Sequence, residues 1–149
     1  MSDLNSRTLT IEKTFNAPLK VVWDTWIQAE HIVKWWAPKG MNVEVLEHDF
    51  NVGGTWKYNM PMPDGSAFIS EGTYKQIIEF EKIVTSADFK PMTEKVELIV
   101  LFEADGNQTK FKFSVVHATP EYCRQQEEMG FYNGWGSAFE RLKDIVEAL

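Results

Sequence analysis

A chain of 149 residues, with 44% hydrophobic and 25% charged residues, has the size and composition of one globular domain. Its formal net charge is −7 and no run of Lys or Arg exceeds two residues, which argues against binding to nucleic acid or anionic membranes because phosphate is bound by basic clusters. The six Trp and ten Phe residues require either a deep core or an aromatic-lined cavity.

The cysteine content and the hydropathy pattern bear on the compartment. Cys123 is the single cysteine, so the chain cannot form an internal disulfide and is compatible with a reducing compartment. The segment Met1–Arg7 lacks the apolar stretch of a secretory signal, and no apolar run has the length that a bilayer requires. We therefore expect a cytoplasmic protein without membrane insertion.

The first forty residues predict one strand followed by two short helices. Thr8–Phe15 alternates polar and apolar residues, as a half-buried strand does. Pro18 presets the backbone for a helix start, and apolar residues then recur at helical spacing as far as Trp36. Pro38 and Gly40 are expected to end the second helix.

The middle of the chain predicts six further strands joined by short turns. The predicted strands are Met41–Phe50, Thr55–Met60, Ala67–Phe80, Lys82–Asp88, Glu94–Glu103 and Thr109–His117. Gly53-Gly54, Pro63-Asp64-Gly65-Ser66 and Asp105-Gly106-Asn107 supply turn residues between them. Links of hairpin length predict an antiparallel meander, because parallel strands need long crossover connections.

The last thirty residues predict a helix that begins at Pro120. One apolar stripe at spacings of three and four comprises Phe131, Trp135, Ala138, Phe139, Leu142 and Val146. Gly130, Gly134 and Gly136 lie within this segment, and each disfavours a helix by roughly 1 kcal/mol relative to Ala. We expect a kink or break at the glycines, with the best helix from about Asn133 onward.

The predicted order β-α-α-β6-α defines an α+β fold. Both apolar faces are hidden only if the antiparallel sheet curls and the last helix lies across its concave side. A sheet curved around a helix rarely closes tightly at both ends, so a cavity is expected between them.

Several short motifs occur in a fixed order over nearly the whole chain. They are Ala17-Pro18 followed by Val22-Trp23, Trp35-Trp36-Ala37-Pro38-Lys39-Gly40, Asp49 with Gly53-Gly54-Thr55-Trp56, Asp64-Gly65, Gly72-Thr73-Tyr74, and Gly134-Trp135 with Leu142. Together they resemble the family named after the C-terminal domain of the heat-shock protein 90 ATPase activator, within the START-like (SRPBCC) superfamily. The resemblance implies one helix-grip domain over residues 1–149.

The resemblance implies several functions without choosing among them. The superfamily includes binders of lipids, sterols and polyketides, a few cyclases and relatives that look hydrolytic. Chaperone activation by the family's namesake relies largely on a separate N-terminal domain, so a chaperone partner or a role in the stress response is the less direct implication.

Aromatic residues on faces that should converge are the candidate ligand-binding residues. They are Trp35, Trp56, Tyr58, Phe111, Phe113, Phe131, Trp135 and Phe139, with His117 as a polar contact. Each ring taken singly is somewhat better explained by core packing. Their combined density favours a cavity that binds an apolar or amphipathic small molecule.

Catalytic and metal-binding signals are sparse. His31, His48 and His117 lack the spacing of a zinc site, so we expect no metal or other cofactor. Adjacent strand residues face opposite sides, so His48 and Asp49 cannot act as a dyad unless a bulge intervenes. Cys123 is expected to be an inert thiol. The sequence therefore does not favour an enzyme, although His117 could act as a general base in the cavity.

Three hypotheses follow from the sequence. The first is a protein that binds an apolar or amphipathic ligand, and the second is a module that interacts with a chaperone. The third is an enzyme of unnamed reaction that uses His117. Exposed aromatic residues around Trp35 and Phe131 would allow a homodimer as well as a monomer.

Overall fold

The computed structural model describes residues 7–36, 43–61, 64–90, 93–128 and 130–148. Within these ranges the chain forms seven strands and four helices. The strands are β1 (Thr8–Phe15), β2 (Glu44–His48), β3 (Thr55–Pro61), β4 (Ala67–Ile78), β5 (Lys82–Lys90), β6 (Thr93–Asp105) and β7 (Gln108–Val116). The helices are α1 (Leu19–Ile27), α2 (Ala29–Trp35), α3 (Pro120–Glu128) and α4 (Phe131–Ala148).

All seven strands belong to one antiparallel sheet, in the order β1-β7-β6-β5-β4-β3-β2. The predicted meander from β2 to β7 is therefore confirmed, and β1 adds to its last strand with Ile11 opposite Phe113. This arrangement confirms the predicted α+β, helix-grip class.

The β2–β3 connection explains why the second strand is shorter than the predicted Met41–Phe50. Asp49 leaves the strand, its backbone N–H donating to the Thr55 carbonyl at 2.9 Å as the chain turns. A Cβ at Gly54 would lie 2.2 Å from the Asp49 carbonyl oxygen, so only glycine fits this turn. Met41 itself, and the predicted stop signals Pro38 and Gly40, lie outside the described residues, as does Pro63 of the next turn.

The predicted break in the C-terminal helix is confirmed, and it falls at its first glycine. Gly130 has φ +103°, a left-handed conformation that glycine adopts without steric cost, and it separates α3 from α4. Helix α4 begins at Phe131, two residues before the expected start, and includes Gly134 and Gly136. A Cβ at Gly136 would meet nothing within 4 Å, so this position carries only the lower helix propensity of glycine.

Helix α4 packs its apolar stripe on the concave face of the sheet. Phe139 is fully buried, and its ring centroid lies 5.0 Å from those of both Phe111 and Phe113 on β7. Polar contacts with β1 hold the helix along its length, since Lys13 forms an ion pair with Glu140 and the Asn16 N–H donates to Glu147. The core therefore lies between the curved sheet and α1, α2 and α4.

Candidate functional site

The concave space between α2 and strands β3 to β6 contains a small central void. Its described lining residues are Trp26, Ile32, Trp36, Trp56, Tyr58, Tyr74, Ile83, Thr85, Leu98 and Val100. Its volume is about 20 Å³, whereas one water molecule needs roughly 10–15 Å³ and a small-molecule site roughly 300–1,000 Å³. The void bounded by these residues has room for a water molecule but not for a ligand.

Two of the predicted ligand-binding residues, Trp56 and Tyr58, line this void. They project from one side of β3, because alternate residues of a strand share a face. Both side chains are buried, and their ring centroids lie 5.1 Å apart. The structure therefore brings this predicted pair to the centre of the candidate site.

The neighbouring tryptophans at the end of α2 have different roles from those predicted. Trp35 is fully buried in the core, where its Nε1–H donates to the Thr25 carbonyl at 3.0 Å. Trp36, which was not among the candidates, places its ring 5.5 Å from Trp56 and 5.1 Å from Tyr58. Adjacent helical residues point about 100° apart, so one of them faces β3, and the sequence alone did not tell which.

The predicted rings of β7 and α4 pack directly on one another. Phe113 lies 4.7 Å from Trp135 and 5.0 Å from Phe139, measured between ring centroids. Trp135 in turn lies 5.3 Å from Trp36, which completes the link to the β3 wall. Among the described residues, aromatic side chains thus fill the space between these elements. The sequence analysis predicted an open cavity there, and the structure corrects that prediction.

The structure places His117 and Phe131 away from the void, at the end of β7. The His117 Nδ1 donates to the Arg7 carbonyl at 3.0 Å, and the two backbones are joined by a second bond at 2.7 Å. Burial lowers the pKa of His117, opposed in part by its hydrogen bonds to the backbone of Arg7 and Val115. The ring of Phe131 lies 6.5 Å away. In this position His117 ties the N-terminal segment to β7.

A second histidine, His48, which was not among the predicted ligand-binding residues, lies beside the site. A bulge between Val45 and Glu47 changes the register of β2 and sets His48 opposite Trp56. The His48 Nε2–H donates to the Ile27 carbonyl at 2.5 Å, and its Nδ1 is hydrogen-bonded to the Tyr58 hydroxyl at 2.9 Å.

Tyr58 and Tyr74 form a buried hydroxyl pair beside this histidine. Burial raises the pKa of Tyr58 far above its usual value, and the adjacent Tyr74 adds to the shift. The pKa of Tyr74 is also raised, chiefly by burial, opposed in part by its hydrogen bond with Tyr58 and assisted by Asp49. Both phenols are therefore neutral hydrogen-bonding groups at physiological pH.

Thr85 is a third hydroxyl on the wall of the void. It accepts the Nε1–H of Trp56 at 2.8 Å and donates to the Thr73 carbonyl at 3.0 Å. Because alternate residues of a strand share a face, its position between Ile83 and Ala87, which are both buried, could have predicted from the sequence that Thr85 points inward. The glycine at position 72 allows this packing, because a Cβ there would lie 2.9 Å from the Trp56 ring.

The chemistry available among the described residues is apolar contact with a few hydrogen bonds. No three His, Cys, Asp or Glu side chains in the described ranges come together in a way that could hold a metal ion. Burial raises the pKa of Cys123, with Glu127 adding to the shift, so its thiol is held in the protonated form. None of the four helices that the structure describes has both the length and the hydrophobicity to cross a membrane.

The fold matches several solved structures over nearly its whole length. A protein from Arthrobacter aurescens is 22% identical with a TM-score of 0.88, covering 100% of this chain and 91% of its own. A protein from Mycobacterium smegmatis is 24% identical with a TM-score of 0.86, covering 99% and 96%. At these identities the likeness establishes the fold alone.

The family assignment comes from the sequence. A comparison with curated proteins gives no match. An AHSA1-like protein from Aeromonas hydrophila is 22% identical with a TM-score of 0.74, covering 95% of this chain and 92% of its own. The model of the family described as Activator of Hsp90 ATPase homolog 1-like protein matches residues 16–147. The predicted resemblance is thereby confirmed, and the chain belongs to the Activator of Hsp90 ATPase homolog 1-like family.

Proposed function

We propose that this protein binds an apolar or amphipathic small molecule between its curved sheet and the helices α2 and α4. The composition of the central void carries this proposal. Aliphatic and tryptophan side chains make up most of its lining, and Tyr58, Tyr74 and Thr85 are the lining residues with hydroxyl groups. Small-molecule sites have this composition, with apolar walls and a few polar groups that fix orientation.

The hydrogen bonds of these hydroxyls indicate which polar group a ligand would carry. Thr85 donates its proton to a backbone carbonyl and accepts one N–H, so its second lone pair remains to accept a hydrogen bond from a ligand. The Tyr58 hydroxyl is hydrogen-bonded to both His48 and Tyr74. Since one of these bonds uses its proton and the other uses one lone pair, one lone pair of the phenolic oxygen is left to accept. The site therefore favours a ligand with an apolar body and one hydroxyl or N–H donor.

A dye-displacement titration tests this proposal. An environment-sensitive apolar dye bound to the full chain is challenged with fatty acids, sterols and small aromatic compounds. We expect saturable displacement by at least one class, and weaker binding of that class to Tyr58→Phe because the phenolic oxygen is lost. Tyr122→Phe is the matched control, since Tyr122 is 44% exposed on α3. The absence of saturable displacement by every class would rule the proposal out.

The family match supports a second candidate, an interaction with a chaperone of the Hsp90 type. This candidate rests on the name of the family rather than on a surface of the molecule. It predicts that the full chain changes the ATPase rate of such a chaperone. An unchanged rate at saturating protein, together with no binding in a pull-down, would remove it.

A further inference from the structure

We propose that the ring of Trp36 occupies the place of the ligand, and that the ligand is therefore a flat aromatic molecule of one or two rings. This inference rests on the proposed function and adds to it the class of ligand. It also implies that the protein in the state described here is closed by its own side chain.

The surroundings of Trp36 form a slot for a flat ring. Its ring plane is inclined by 67° to that of Trp56, 76° to that of Tyr58 and 89° to that of Trp135, with centroids 5.1–5.5 Å away. These are edge-to-face contacts, in which the positive edge of one ring meets the negative face of another. Three aromatic neighbours on β3 and α4 thus recognise one aromatic ring between them.

Trp36 lies at the C-terminal end of α2, next to the void. It is the residue that follows the last turn of α2, and its backbone N–H makes the final helical bond to the Ile32 carbonyl at 2.9 Å. It is 9% exposed, whereas Trp35 is fully buried and held by a side-chain hydrogen bond. Trp36 thus lines the void, keeps a small exposed fraction and, among the described residues, has no side-chain hydrogen bond for its ring, in contrast to Trp35.

The volume that the Trp36 side chain would leave empty limits the size of the ligand. If its side chain leaves the slot, the space available is that of one indole ring plus the adjoining void of about 20 Å³. That space fits a benzene or indole nucleus with a small substituent. It does not fit a sterol or a long acyl chain unless the packed rings of α4 and β7 also move.

Competition between the ligand and Trp36 has a measurable consequence. A ligand binds only the fraction of molecules in which the slot is open, so its apparent affinity is reduced by that fraction. Removal of the competing ring should therefore tighten binding of a probe that resembles it. Indole is the natural probe, because it is the group that the slot already holds.

Calorimetric titration of indole into the full-length chain tests the inference. We expect Trp36→Ala to bind indole at least tenfold more tightly than the wild type, a factor equivalent to about 1.4 kcal/mol. Trp23→Ala is the matched control, since Trp23 is also buried but packs against Phe50, Phe80 and Phe102 beyond this slot. In the wild type, the indole N–H resonance of Trp36 should shift on binding more than that of Trp23.

The other possible results of these experiments separate this inference from the proposed function. Equal affinities for the wild type and Trp36→Ala, or an equal gain in Trp23→Ala, would overturn the inference. If Trp36→Ala does not fold, Trp36→Leu serves in its place, with the same criterion of tenfold tightening. Displacement of the dye by large ligands without a shift at Trp36 would overturn this inference and leave the proposed function standing. Absence of any binding by wild type and variants would remove both.

Discussion

A single methyl group at Gly72 should destabilise the fold, because β4 and β5 approach closely there. A Cβ at this position would lie 1.9 Å from the Ser86 carbonyl oxygen and 2.9 Å from a carbon of the Trp56 ring. The carbonyl belongs to the backbone of β5, and the ring is buried on β3. Neither neighbour can move aside as a flexible side chain would, so the strands themselves must shift.

The expected loss in the free energy of unfolding has two sources, the overpacking itself and the hydrogen bonds that a shift of the strands would strain. Overpacking a core costs about 1–3 kcal/mol. The Thr73 N–H donates to Ser86 Oγ at 3.0 Å and the Trp56 Nε1–H donates to Thr85 at 2.8 Å, and weakening such bonds costs about 1 kcal/mol each. For Gly72→Ala we expect a loss of about 3 kcal/mol, which lowers the melting temperature by about 6–12 °C in a chain of this size.

Urea unfolding followed by tryptophan fluorescence measures this loss. Gly136→Ala is the matched control, because its Cβ would meet nothing within 4 Å in the middle of α4. There the same substitution should raise the free energy of unfolding by about 0.5–1 kcal/mol through helix propensity. A Gly72→Ala variant within about 0.5 kcal/mol of the wild type, the scatter expected of neutral surface changes, would refute the packing argument.

Three further predictions concern the polar and aromatic core. Phe139→Ala should lose about 3–5 kcal/mol in urea unfolding through the cavity it leaves, and a smaller loss would indicate that α4 collapses onto the sheet. Tyr58→Phe should lose about 1–3 kcal/mol by leaving His48 Nδ1 without its hydrogen-bond partner. Because the folded-state pKa of Tyr58 is raised, the wild type should also lose stability as the pH rises above about 10. Tyr58→Phe should lose less, and an equal loss of stability with pH in the two proteins would contradict this. The lowered pKa of His117 means that the unfolded chain binds more protons below about pH 6.5, so stability should fall as the pH decreases from there toward the folded-state pKa. His117→Gln should reduce that dependence, and an unchanged urea midpoint profile would count against it.

The sequence by itself determined the elements and the faces they bury. The alternation in β3 predicted that Trp56 and Tyr58 share a face, and the structure places both on the void. Gly130, Gly134 and Gly136 together predicted a break in the C-terminal helix, and it occurs at Gly130, because a residue in the left-handed conformation ends a helix. These features depend on local periodicity and backbone conformation, which neighbouring residues decide.

Only the tertiary structure decided which side chains occupy the space between the sheet and the helices. The rotation of α2 selected Trp36 rather than Trp35 to face β3, and a bulge in β2 brought His48 to the Tyr58 hydroxyl. The packing of rings from α2, α4 and β7 then reduced the expected cavity to about 20 Å³. Each of these outcomes depends on how distant segments meet, and a one-residue change of register or a small rotation reverses which side chain points inward.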